Sequence, residues 1–102
     1  MYKKIITTSN NKKILKHIAK EILLANFSPC IAISKKFTSL YKWNKKIKKN
    51  SEYSLTIKTS KNLAKKCNEL IRKYHNYDTP EIIETSFIIT DKKYKDWFND
   101  NI

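Results

Sequence analysis

Glycine is missing from this 102-residue chain altogether. That excludes a glycine-rich phosphate cradle, whose backbone has to approach its ligand closely. Valine is missing too, and Arg72 is the one arginine among 22 cations. Forked recognition of bases and phosphates relies on arginine, so its scarcity argues against a nucleic-acid partner. The two cysteines, Cys30 and Cys67, lack the paired spacing of a metal site and are expected as buried, reduced thiols. No apolar run approaches the ~20 residues of a membrane helix. The opening residues Met1–Ile6 turn polar at Thr7, too early for a signal-peptide core, so the expected location is the cytoplasm with no membrane partner.

What is abundant is lysine. The net charge is +13, yet lysines occur in every segment of the chain rather than in one stripe. Lysine, asparagine and isoleucine make up nearly half of the residues, which fits drift toward AT-rich codons with lysine filling solvated positions. Polyanion binding through the lysine surface stays open as an alternative.

The hydropathy pattern gives the order of elements. Tyr2–Thr8 reads as a strand centred on Ile5 and Ile6. Ser9, Asn10 and Asn11 supply N-cap side chains for a helix over Lys12–Asn26, with its apolar stripe at Ile14, Leu15, Ile18, Ala19, Ile22 and Leu23. Pro29 ends that helix, and from Ile31 the apolar period becomes two. Two strands then run through residues 29–59 around a turn at Asn44-Lys45. Thr59-Ser60 is expected to cap a second helix carrying Leu63, Cys67, Leu70, Ile71 and Tyr74. Asn76–Pro80 reads as a loop, and Ile82–Thr90 as a strand buried on both faces. Asp91 caps a last helical turn with Tyr94, Trp97 and Phe98, of which Trp97 is expected to pack onto the sheet. The order β-α-β-β-α-β plus a short helix is the ferredoxin-like α+β arrangement, an antiparallel sheet with two helices on one face, in a single domain over residues 1–102.

The central hairpin is too long for such a domain. A helix of ~15 residues spans roughly 22 Å, whereas a strand of ~14 residues spans roughly 46 Å. The outer half, with Phe37, Leu40, Tyr41, Trp43 and Ile47, is therefore expected to be an arm covered by another copy of the chain. A two-residue turn pairs Trp43 with Lys46, Tyr41 with Lys48 and Phe37 with Glu52. Continued inward it would set the apolar sets on opposite faces. One extra residue near Ser34-Lys35-Lys36 restores Ile33 to Leu55 and Ile31 to Ile57, which predicts a β-bulge there.

Several stretches resemble the CutA family. Ser39-Leu40-Tyr41-Lys42-Trp43-Asn44-Lys45-Lys46-Ile47 is similar to its S-x-Y-x-W-x-G-K-[IL] hairpin, with Lys45 in place of the glycine. Glu52 and Leu55-Thr56-Ile57-Lys58-Thr59 follow at the family's spacing. His75-Asn76-Tyr77-Asp78-Thr79-Pro80-Glu81-Ile82 resembles H-P-Y-x-x-P-E-[IL], Cys30 falls at an A-C position, and Tyr94-Lys95-Asp96-Trp97 resembles the closing Y-x-x-W. The resemblance implies a compact homotrimer joined by hairpin arms, a fold and assembly like PII signalling proteins, and a role in divalent-metal tolerance, copper especially. Phe37, Tyr41, Trp43 and Ile47 would lie in the trimer interface. The copper ligands of the family fall at Thr7, Tyr74 and His75, so His75 alone is kept as the candidate ligand for weakly held Cu(II).

Glu52, Lys58, Tyr77 and Glu81 are polar residues within apolar motifs, and Cys30 is grouped with them as a cleft candidate. They are expected to line an inter-subunit cleft for a small ligand or metal; the alternative is that Lys58 pairs with a carboxylate across the trimer interface and fixes register there. No nucleophile, base and orienting group stand together, so the chain is not expected to be an enzyme. A trimer that docks another protein is the remaining alternative.

Overall fold

The computed structural model describes residues 1–102. Strand β1 (Tyr2–Ser9) is followed by helix α1 (Lys12–Leu24), then strands β2 (Cys30–Ile33), β3 (Phe37–Trp43) and β4 (Lys46–Ser60). Helix α2 (Ala64–Tyr74), strand β5 (Ile82–Phe87) and helix α3 (Lys92–Asp100) complete the chain. The sheet is antiparallel in the order β2-β4-β1-β5, with β3 continuing along the outer part of β4.

Helix α1 starts where asparagine can satisfy a free amide: the Asn11 side chain accepts from the Ile14 N–H at 3.2 Å. It ends in a Schellman turn. Asn26 takes the left-handed conformation (φ 60°), and the Phe27 and Asn26 amides donate to the carbonyls of Ile22 and Leu23. Asparagine does here what glycine usually does, and the helix ends at Leu24 rather than at the expected Asn26. The first turn of α2 differs more from expectation. Thr59 and Ser60 do not cap it, because β4 pairs with β1 all the way to Tyr2 opposite Ser60. The Thr59 hydroxyl donates instead to the Phe27 carbonyl, and the helix begins at Ala64 without a side-chain cap.

The core lies between the sheet and helices α1 and α2. Ile5, Leu55 and Ile57 of the sheet meet Leu15, Ile18, Ala19 and Ile22 of α1 and Ala64, Cys67 and Ile71 of α2. Helix α3 covers part of the other face. Tyr2 and Phe87, one residue out of phase with the core positions, hold Phe98 edge-on at 5.2 and 6.4 Å between ring centroids. Phe98, not Trp97, is thus the docking residue; Trp97 stacks on Tyr94 and stays exposed. Strand β5 is shorter than expected and half bare: it pairs only with β1, Ile83 is exposed, and Ile88 beyond its end is 82% exposed.

The bulge lies where the register requires it. Ile33 pairs with Leu55 and Phe37 with Glu52, so Ser34, Lys35 and Lys36 oppose only Tyr53 and Ser54. Ser34 closes the gap by donating its N–H to the Ser54 carbonyl (2.9 Å) and accepting the Ser54 N–H on its hydroxyl (2.8 Å). Beyond it the arm runs out to a two-residue turn at Asn44 (φ 52°) and Lys45 (φ 63°). Both residues are left-handed, as a type I′ turn demands, although neither is glycine. The arm stretches the chain to 46 Å along its longest axis.

Candidate functional site

Alternation along the arm puts Tyr41, Trp43, Lys48, Asn50 and Glu52 on one face. That face and the loop Asn76–Glu81 bound a groove of about 750 Å³. Glu52 sits at its root, only 6% exposed. Tyr77 ties the groove together. Its hydroxyl donates to Glu52 Oε2 at 2.7 Å and accepts from the Asn10 N–H at 2.8 Å and from Asn50 Nδ2 at 3.3 Å. Burial, and then the bond to the Glu52 carboxylate, push the Tyr77 phenol up to about 12. It therefore remains a proton donor at neutral pH.

His75 holds the loop from beneath. Its Nδ1 accepts the Tyr77 N–H at 3.0 Å, which leaves the ring proton on Nε2, 2.9 Å from the Thr8 carbonyl. Burial lowers the His75 pKa, outweighing the bond to Thr8 and the nearby Glu52 charge that raise it. The neighbouring Asn76 takes a hydrogen bond from the Ser9 hydroxyl and gives one to Asn10 Oδ1. The three loop residues 75–77 are thus latched to the β1–α1 turn and to the base of the arm. Sequence reasoning singled out His75 as a ligand; a histidine whose two nitrogens are both spoken for by backbone groups leaves no mark in a single sequence.

The five expected cleft residues fall in two places. Glu52, Tyr77 and Glu81 line the groove. Lys58 lines a separate hollow of about 280 Å³ with Phe87, Ile88, Ile89, Thr90, Asp91 and Tyr94. Cys30 is Lys58's register partner and lies beside Tyr94. It is half-buried, whereas Cys67 is fully buried with its thiol pushed up to about 11. The expectation of two buried thiols therefore holds for Cys67 alone, because Cys30 lies on the sheet face that α1 and α2 leave uncovered. The trimer-interface candidates Phe37, Tyr41, Trp43 and Ile47 are all exposed along the arm.

The donors of one chain do not fit a divalent cation. No three histidine, cysteine, aspartate or glutamate side chains converge. Thr7, at the position of a family copper ligand, is fully buried with its hydroxyl unpaired, and offers no soft donor.

Comparison with known proteins settles the lineage. Residues 4–101 match the family model of the CutA1 divalent ion tolerance protein. The chain belongs to the CutA1 family. The divalent-cation tolerance protein CutA of Thermus thermophilus is 26% identical over 95% of this chain and 94% of its own length. Protein CutA of Mus musculus is 33% identical over 74% of this chain, which spans 43% of that longer protein. Among solved structures, the Thermus thermophilus protein superposes with a TM-score of 0.92 at 26% identity, covering 99% of this chain and 98% of that one. CutA1 from Oryza sativa gives 0.91 at 28% identity, covering 98% and 92%. The family description names ion tolerance and no reaction.

Proposed function

We propose that this CutA1-family chain is a non-enzymatic binding or sensing protein of the cytoplasm, assembled as a homotrimer through its arms and acting in tolerance of divalent metals, copper among them. The arm carries the assembly part of this reading. Leu40 is 69% exposed, Trp43 54% and Ile47 76%, on a protruding ribbon that no helix of its own chain covers. Apolar surface of that extent marks a contact site. The groove between arm and loop is the ligand site of the reading, with Tyr41 and Trp43 as its aromatic wall. The metal part rests on the family's name, since His75 would have to give up a backbone hydrogen bond to bind Cu(II).

Light scattering at micromolar concentration tests the assembly, and a trimer mass is expected. Calorimetry with Cu(II) on wild type and on His75→Ala tests the metal. Heat that persists in the variant removes His75 as ligand, and no heat in either removes copper.

One observation favours a second reading. Seven lysines, at 35, 36, 42, 45, 46, 48 and 49, ride on the arm, and no acidic residue precedes Glu52 there. Lysine is thus denser on the arm than its spread along the sequence suggests. A basic ribbon with exposed aromatics suits a polyanion. DNA binding with a steep salt slope supports this reading, and binding confined to very low salt sinks it.

A further inference from the structure

The outward side of the helical layer takes no part in the core, the arm or the groove. Helix α1 turns Leu15, Ile18, Ala19 and Ile22 inward. On its opposite side Lys13, Lys16, Lys20 and Leu24 follow at three- and four-residue spacing, which is one face of a helix, and all four are exposed. The last turn ends in two bare leucines, Leu23 at 41% and Leu24 at 69% exposure. The Schellman turn accounts for Phe27, which packs against the core, but not for Leu24.

Helix α2 runs alongside in the opposite direction. Tyr74, at its end, lies against His17 with 4.6 Å between ring centroids, and Lys66, near its start, sits 5.4 Å above the Phe27 ring. The two helices carry seven lysines and Arg72 against Glu21 and Glu69. Glu21 already faces His17 at 3.8 Å, and Lys13, Lys16 and Lys20 have no ion pair. A partner for this face must be anionic, must be held by point charges rather than arginine forks, and must accept aliphatic side chains. Nucleic-acid phosphates accept lysine but offer two leucines nothing apolar to enter. An anionic bilayer meets all three conditions, because its charge is diffuse and acyl chains lie just beneath it.

We propose that this face docks on the surface of an anionic phospholipid bilayer, with Lys13, Lys16, Lys20 and Lys66 on the headgroups and Leu23 and Leu24 dipping between them. The lysine stems lie along the apolar boundary while their ammonium groups stay among the headgroups. The absence of a long apolar run, which argued against a membrane partner, excludes a spanning helix only. No helix here is long and apolar enough to cross a membrane, and a surface contact needs none. The contact is made by residues outside the arm and does not depend on the trimer.

Flotation of the full chain with vesicles at physiological ionic strength tests the proposal. Phosphatidylcholine vesicles are compared with vesicles of phosphatidylcholine mixed with phosphatidylserine. Binding to the mixed vesicles and none to the neutral ones is expected. Lys13→Glu, Lys16→Glu and Lys20→Glu together should weaken it at least about thirtyfold. Leu23→Ser with Leu24→Ser should weaken it about tenfold and leave its salt dependence in place. All five positions are exposed, so circular dichroism should show an unchanged fold. Lys42→Glu with Lys46→Glu reverses charge on the arm and should change vesicle binding far less. No binding of the wild type to the mixed vesicles overturns the proposal. Binding that the arm variant abolishes and the α1 charge variant keeps overturns it too, and moves the surface to the arm. A leucine variant that binds as the wild type does overturns the lipid contact and leaves a purely electrostatic face, of the kind duplex DNA would fill.

Discussion

Ile57 and Ile47 belong to the same strand, ten residues apart, and live in different surroundings. Ile57 is fully buried between Ile5 and the helices, while Ile47 is 76% exposed near the tip of the arm. The inner half of β4 has neighbours on both sides, β2 and β1, and a helical layer beneath it. The outer half has only β3, with lysines and bare apolar side chains on it. The inner half is finished by its own chain. The outer half has the geometry of a strand pair that another molecule completes.

The largest effect that separates the halves is expected from register. Deleting Lys35 removes the residue that the bulge absorbs, and would turn either Ile31 and Ile33 or the face of Tyr41 and Trp43 to the wrong side. Loss of the cooperative thermal transition is the expected outcome, read by circular dichroism. Ile57→Ala should follow, costing about 2–5 kcal/mol in urea unfolding as a core truncation. Ile47→Ala, the same chemistry on the arm, should cost the fold of a dilute chain less than about 0.5 kcal/mol. Its effect should appear instead as a higher concentration needed for assembly. Equal costs for the two in a dilute chain would erase the distinction between the halves.

The pH dependence probes the latch where they join. Unfolded histidine titrates near 6.5, and burial holds folded His75 below that. As pH falls through 6.5 the unfolded chain takes up a proton that folded His75 resists, so stability falls across the window between its folded value and 6.5, and this contribution is flat above it. Urea midpoints at pH 7.5 and 5.5 should show the loss, and His75→Asn should reduce its slope. The smallest effect is at the tip. Lys45→Gly relieves a left-handed residue with a Cβ and should stabilise the turn by about 1 kcal/mol, less the entropy of the more flexible glycine chain.

The parts of this fold that were readable from the sequence are those where two independent periodicities had to agree. Ile31 and Ile33 could only face Leu55 and Ile57, and Phe37, Tyr41 and Trp43 could only face residues counted back from the turn, so the bulge was forced. Caps were readable where the side chain had no rival role, as at Asn11 and Asp91. Thr59 misled because its hydroxyl serves a strand–loop contact that capping patterns ignore. Trp97 misled because size suggested burial, while helical phase places Phe98 over Tyr2 and Phe87. At the site, the residue types were legible but not their grouping. Which of Cys30, Glu52, Lys58, Tyr77 and Glu81 share a hollow depends on the face and end of the sheet they occupy, and Glu52 and Lys58 share a face but not a place.

Sedimentation equilibrium of the wild-type chain at micromolar concentration bears most directly on the arm as an assembly device. The account predicts one species at three times the 12.1 kDa chain mass. A single species at the chain mass, with the arm's aromatic and aliphatic side chains left in water, would contradict it.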